Sequence, residues 1–333
     1  MAEPKPADLV LSGGGVKGIG LVGAVVGLMD GGYRAQRVSG TSAGSIVGAI
    51  VAAASMGDQL SPEEVKELAL QLDYHKFTDP GVVERLPVVG PSWAVLRGSG
   101  IYKGDYAPDW VRSQLKNLGV GTFGDLAIRD ENLPPEQRYQ LVVTVADVTT
   151  GQLVRLPWDY RRVYGLDPDG QSVADAVRAS MSIPFFFRPV TLTGSGELTS
   201  TLVDGGILSN FPIDSLDRTD RRSPRWPSFG VTVLPNLPEG NDKVIPALAP
   251  IRLLGPPHLL ESVITTVLVG RDQAYLSQPW VSARTIRVDS TDVGFLDFEI
   301  SDNEIEALYA KGYAAAEKFL AGWDWDAYLE RFR

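Results

Sequence analysis

The chain has 333 residues, 44% of them apolar and 22% charged, with no cysteine, two histidines and a formal net charge of −10. That usage excludes a disordered or fibrous chain, and the lack of cysteine excludes disulfides, thiolate ligands and a cysteine nucleophile. The acidic balance argues against nucleic acid, whose binding draws most of its affinity from Lys and Arg set on phosphates.

The N-terminal residues carry no charged segment leading into an apolar stretch, so no signal peptide is expected. Asp8–Ser12 is a short apolar strand that stops at Gly13-Gly14-Gly15. A helix follows from about Val16 to Asp30, ended by Gly31-Gly32, where glycine accepts the left-handed cap conformation. Arg37–Ser39 makes a second strand, then comes the turn Gly40–Gly44, and Ser45–Ser55 forms a helix so apolar that it is expected to be buried on all sides. The apolar runs Gly18–Met29 and Ile46–Ala54 fall short of the roughly 18–20 residues that span a membrane. A cytoplasmic, soluble protein is expected, meeting membranes only at their surface.

Pro62–Gln71 and Ala107–Leu118 read as helices, and Tyr139–Asp147 with Gln152–Leu156 as paired strands across Thr149-Thr150-Gly151. Ser172–Met181 is a helix stopped at Ile183-Pro184. Thr201–Val203, Phe229–Leu234 and Ile286–Val288 are strands, and Asp302–Trp323 is an amphipathic closing helix. Loops are expected at Asp79–Gly104, Asp130–Gln137, Gly165–Gly170 and Arg218–Ser228. The alternation of strand and helix argues for a parallel sheet with helices on both faces. No linker stands out, so residues 1–333 are expected to form one large domain.

Three glycine-rich turns carry the chemistry. Gly13-Gly14-Gly15-Val16-Lys17-Gly18 fits a dinucleotide fingerprint, but the second strand ends Val38-Ser39-Gly40 without the carboxylate that such a site needs. Lys17 is followed by Gly18, so the turn is not a P-loop. What remains is a set of N–H donors at a helix N-terminus, suited to an anion or an oxyanion. Gly40-Thr41-Ser42-Ala43-Gly44 matches G-x-S-x-G between strand and helix, a sharp turn that lifts a serine Oγ clear of the backbone. His258 is the single histidine far downstream of Ser42, in Gly255-Pro256-Pro257-His258, with no catalytic loop around it. His75 lies in an exposed polar stretch, so a Ser-His-Asp triad is poorly supported. The third turn, Asp204-Gly205-Gly206, ends a short apolar strand, and partial burial would bring an aspartate there closer to a useful base.

Together these turns resemble the patatin-like phospholipase family. The likeness runs from Leu11–Gly18 through Gly40–Gly44 to Asp204-Gly205-Gly206 with Asn210 and Pro212. Ala176–Pro184, Gly100–Asp105 and Thr122–Leu126 also look family-like, and the C-terminal Phe298–Ser301 and Gly312–Ala315 resemble the bacterial members' ending. The resemblance implies a three-layer α/β/α patatin-like fold with a mainly parallel central sheet, its catalytic core at 8–213 and 214–333 completing it. It implies a lipid acyl hydrolase with Ser42 as nucleophile and Asp204 as its base, acting on phospholipid, lysophospholipid or glyceride esters without metal or other cofactor. Backbone N–H groups of Gly13, Gly14, Gly15 and Val16 would hold the oxyanion. Lys17, Gly18, Gly40, Gly44, Gly205 and Gly206 would support the site, Lys17 by bracing its loop.

Phe185-Phe186-Phe187 and the run Val82, Val83, Leu86, Val88, Val89, Trp93 and Leu96 are candidates for the acyl site, with ordinary core the competing reading. The expected partners are the lipid ester and, briefly, a membrane or micelle surface. Three other functions stay open on the residues alone: a hydrolase using His258, a nucleotide-binding protein using Gly13–Gly18, and a lipid-binding or ligand-gated module of the same fold without turnover.

Overall fold

The computed structural model describes residues 3–56, 60–78, 102–196, 198–220, 222–233, 266–267, 272–294 and 297–333. The elements in chain order are β1 (Lys5–Leu11), α1 (Gly18–Asp30), β2 (Tyr33–Thr41), α2 (Ala43–Ser55), α3 (Pro62–Leu70), α4 (Tyr106–Asn117), β3 (Leu141–Asp147), β4 (Gln152–Leu156), α5 (Val173–Ser180), β5 (Val190–Thr193), β6 (Thr199–Asp204), β7 (Ser228–Thr232), α6 (Gln273–Leu276), α7 (Pro279–Ser282), β8 (Thr285–Arg287), α8 (Asp302–Ala321) and α9 (Trp325–Phe332). The strands form one eight-stranded sheet in which β3-β2-β1-β7-β8 are neighbours and parallel, while β4, β5 and β6 add antiparallel pairings at the β3 side.

Thr41, the last residue of β2, pairs with Thr144 of β3, and Asp204, the last residue of β6, pairs with Val145. β4 occupies the other edge of β3 over Val143–Asp147. A strand has two edges, so β2 and β6 share one of them and approach each other end to end. Their C-terminal ends therefore meet one position apart, about 3.3 Å along β3.

The sheet's faces follow the strand period of two. Leu11, Val38 and Leu141 reach the same glycine, Gly48 of α2, and each fully buried Leu or Val contributes about 1.5–3 kcal/mol. Val288 and Val233 reach Gly20 of α1 on this same face. α8 lies along α1, and its Phe319 meets Phe229 of β7 edge to face. The opposite face is covered at Gly230 by Phe211 and Ile213. α6 and α7 attach to that layer, through Asp272 bonded to the Asn210 and Phe211 amides and through Arg284 paired with Asp217. The result is three layers, α/β/α, with β7 and β8 continuing the sheet begun by the first two hundred residues.

The expected elements appear with shifted ends. β2 starts at Tyr33, because Tyr33 and Ala35 pair with Lys5 and Ala7 before the apolar run begins. The β3–β4 hairpin forms as expected, with Gly151 at φ +70° and the Thr149 and Thr150 amides held by Asp147 Oδ1. β5 was not expected; Val190–Thr193 alternates half-buried and exposed and gains its order from pairing with β6. The closing helix breaks at Gly322, after which Asp324 caps a separate α9 by accepting from the Ala327 amide. The Asp130–Gln137 loop contains a single 3-10 turn at Pro135–Gln137. Most of the Asp79–Gly104 loop, with Val82 to Leu96, lies outside the described residues, as does His258. Among the described residues no helix is long and apolar enough to cross a membrane.

α1 and α8 touch backbone to backbone. A Cβ on Gly23 would stand 2.0 Å from the Tyr309 carbonyl oxygen, and one on Gly312 would stand 2.0 Å from that of Gly20. Replacing a helical glycine by alanine ordinarily gains about 0.5–1 kcal/mol, but here the clash is with main chain that cannot rotate away. Gly23→Ala is expected to lose about 3 kcal/mol, read as a lower denaturant midpoint. Gly170→Ala, where a Cβ meets nothing within 4 Å, should leave the midpoint unchanged.

Candidate active site

Ser42 sits at the turn from β2 into α2 with φ 52° and ψ −123°. That backbone is strained for a side-chain-bearing residue, at a cost of about 1–3 kcal/mol. The turn is tight enough to require glycine on both sides: a Cβ on Gly40 would meet the Gly44 carbonyl at 2.3 Å, and one on Gly44 the Leu11 carbonyl at 2.4 Å. Ser42 stands at the N-cap of α2, where a serine usually spends its hydroxyl on a helix amide. It makes no such bond here, so Oγ is left for other use. The strained turn is held instead by its main chain. The Ser42 amide donates to Ser180 Oγ at 2.8 Å, Ser180 Oγ donates to the Thr144 carbonyl at 2.7 Å, and the Ser42 carbonyl accepts from the Ser45 hydroxyl at 2.6 Å.

Asp204 arrives at the same place from β6 and is fully buried. Its amide donates to the Ser182 carbonyl at 2.9 Å, and its Oδ1 accepts from the Gly206 amide at 2.8 Å. Gly205 must lack a Cβ, which would stand 2.4 Å from the Thr144 carbonyl. Burial pushes the Asp204 carboxyl up to about 7, against the opposing pull of the Ser42 hydroxyl and the Gly206 amide. Asp204 Oδ2 nevertheless has no formed hydrogen bond. The Ser42 contact is thus close enough to act on the carboxyl and too loose in geometry to count as a bond; such pairs often tighten only around substrate.

The first glycine turn lies against this pair. A Cβ on Gly13 would come within 3.2 Å of Ser42 Cβ, and one on Gly18 within 3.0 Å of Ala43 Cβ. The Gly13 amide is already committed, donating to the Asn210 carbonyl at 3.0 Å, while Asn210 Nδ2 donates to the Gly13 carbonyl at 3.2 Å. Gly13 is therefore removed from the expected set of free donors. The amides of Gly14, Gly15 and Val16 have no hydrogen-bond partner among the described residues, and they precede α1 at its positive end. Asp272 fixes Asn210 by accepting from the Asn210 and Phe211 amides, each at 2.7 Å. The Lys17 Nζ donates to the Ser290 carbonyl at 2.8 Å. Burial pushes its pKa down to about 8, with Asp292 and Asp289 pulling the other way. Its observed contact is a brace between the turn and the segment after β8.

An apolar cavity lies beside Ser42 and runs between α1, α2 and α3. Of the Phe185–Phe187 triplet, Phe187 lines it, while Phe186 stacks on Phe298 at 5.6 Å. His75 is 55% exposed and faces Glu299 at 3.4 Å. Ser180, Ser182 and Asp272 were not singled out by the sequence for the roles they hold. The first two lie in the Ala176–Pro184 block, at the end of α5 and in the turn after it, where small polar residues among buried apolar ones were the available signal. Asp272 gave none.

The patatin-like phospholipase family model matches residues 9–217. An uncharacterized Bacillus subtilis protein, YqhO, is 35% identical over 318 residues, which are 95% of this chain and 98% of its own length. Rv2565 of Mycobacterium tuberculosis, described as an uncharacterized NTE family protein, is 28% identical over 311 residues; this covers 90% of the chain but 44% of the relative. Among solved structures, VipD from Legionella pneumophila shares the fold with a TM-score of 0.51 at 17% identity, over 96% of this chain and 67% of its own. With the matched segment running from β1 past Asp204, and with the glycine turns, Ser42 and Asp204 brought together where β2 and β6 end along β3, the chain belongs to the patatin-like phospholipase family.

Proposed function

We propose that the protein hydrolyses carboxylic esters of lipids through an acyl-enzyme on Ser42, with Asp204 as the single general base and acid. The observation that carries this reading is the meeting of Ser42, which lines an apolar cavity, with a buried Asp204 whose carboxyl is pushed up to about 7. Ionised Asp204 takes the Ser42 hydroxyl proton as Oγ attacks the ester carbonyl. The tetrahedral oxyanion is met by the amides of Gly14, Gly15 and Val16, each such donor being worth about 2.7–4 kcal/mol in the transition state. Collapse expels the alcohol, which leaves with the proton held by Asp204. Water then gives a proton to Asp204, attacks the acyl carbon, and releases the carboxylic acid as Ser42 recovers its proton. A nucleotide-binding role for Gly13–Gly18 finds no support, because that turn is packed on Ser42 and one of its amides is spent on Asn210.

Removal of the nucleophile is the direct test: Ser42→Ala is expected to lower kcat/KM on lipid esters by about 10⁴-fold or more, and retention of full activity would sink the reading. A correctly folded wild type that turns over no ester would favour the lipid-binding module instead.

The raised Asp204 pKa gives two further outcomes. The base form is lost on acidification, so kcat/KM should rise with a single ionisation near pH 7 and level above it. The folded state binds a proton that the unfolded chain has released above about pH 4, so Asp204 weakens the fold progressively from about pH 4 to pH 7. Asp204→Asn should therefore be inactive yet more stable than wild type at pH 8, by up to a few kcal/mol at about 1.4 per pKa unit. The gain should vanish near pH 4; a Tm difference independent of pH would contradict it.

Ser180→Ala removes the acceptor that holds the Ser42 amide. A fall in kcat of about 10- to 100-fold with KM nearly unchanged is expected from losing a buried bond worth about 1–3 kcal/mol. An unchanged kcat would show that the strained turn holds itself.

A further inference from the structure

The cavity beside Ser42 has a direction and an end. On α2 its wall is the stripe Ser42, Ile46 and Ile50, with Ala43, Val47 and Val51 next to it, the i, i+4, i+8 positions that fall on one helix face. α3 supplies the facing wall with Val65, Leu68 and Ala69. Among the described residues on these two walls, the polar side chain is that of Ser42. A second, mainly apolar cavity lies beyond, between α1, β1 and β2, lined by Leu9, Val25 and Leu28 and bordered by Arg34 and Ser55. Val51 and Val65 line both cavities. The two side chains, each 3% exposed, are the partition between them.

We propose that the stripe from Ser42 along α2 is an acyl-chain channel, and that Val51 and Val65 close it at about ten carbons. This rests on the Ser42 reading above and names the part of the substrate that the protein measures. Nine residues separate Ser42 from Val51, which at about 1.5 Å per helical residue is about 13 Å. An extended alkyl chain built of bonds of about 1.5 Å advances about 1.25 Å per carbon, so about ten carbons fill the channel. Each methylene buried before the wall raises affinity by up to about four-fold. Each one beyond it must fold back or displace packed side chains, which costs what the burial gained.

Two series test the channel. In the first, kcat/KM is measured on p-nitrophenyl esters from two to sixteen carbons, the long ones held in mixed micelles. Wild type should peak near ten carbons. Val51→Ala and Val65→Ala, which open the partition, should each move the peak up by at least two carbons, and Ile46→Trp, which blocks the channel midway at about 6 Å from Ser42, should move it down to about five. A peak that stays in place in all three variants, while Ser42-dependent hydrolysis continues, overturns the proposal and leaves the Ser42 reading intact. In the second series, Ser42→Ala is titrated calorimetrically with free fatty acids of six to sixteen carbons. The affinity gain per carbon should stop near ten in that protein, and continue past it when Val65→Ala is added. A gain that runs unbroken to sixteen carbons, or no binding at any length, overturns the channel. Should wild type cleave no ester, the nucleophile assignment fails, and this binding series alone judges the channel.

Discussion

The site depends on one edge of one strand. β2 runs along β3 as far as Thr144 and stops; β6 comes in from the opposite direction along the same edge and stops at Val145. Because β2 is parallel to β3 and β6 antiparallel to it, both present their C-terminal ends to the same point. A register slip of one residue in either strand would turn its side chains to the other face. Ser42 and Asp204 are 162 positions apart in the chain, and this shared edge is what makes them neighbours.

The neighbourhood is costly, and its surroundings offset the cost. Ser42 holds a positive φ that a serine does not choose, and Asp204 is a carboxylate without full hydrogen bonding in a buried place. α5 and the turn after it answer both: Ser180 fixes the Ser42 amide and Ser182 fixes the Asp204 amide. Arg178 then ties Ser182 Oγ at 2.6 Å and the Arg188 carbonyl at 2.9 Å. On the other side, Asp272 holds Asn210, Asn210 holds Gly13, and Lys17 fastens the same turn to Ser290. The glycine turn is thus clamped at both ends while its middle amides stay unbonded among the described residues. Preorganised donors of this kind stabilise developing charge because they need not reorganise during the reaction.

Much of this was legible in the sequence because it is local. Glycine before and after Ser42, glycine after Asp204 and the apolar strands leading into them are each fixed by contacts within a few residues, and the first four elements follow from them. The expected three-layer sheet with a parallel centre is what forms. Long-range consequences were not legible. The pairing of β5 with β6, the attachment of Asp272 to residues some sixty positions earlier, and the engagement of the Gly13 amide by Asn210 leave no periodic trace. The α2 run Ser45–Ser55 illustrates the boundary. Its uniform apolarity correctly implied burial, but a helix that is apolar all round does not reveal which stripe packs on the sheet and which borders a cavity. The Phe185–Phe187 triplet behaved likewise, with one ring at the cavity and a second stacked beside it.

The central claim is that Asp204 activates Ser42. It is tested most directly by reacting the protein with a fluorophosphonate probe across pH 5–9 and locating the adduct by peptide mass spectrometry, beside Asp204→Asn. An adduct on Ser42 is expected, with a rate of formation that rises through pH 7 and collapses in the variant. An adduct on another residue, or labelling of Ser42 at the same rate and pH dependence without the Asp204 carboxyl, would contradict it.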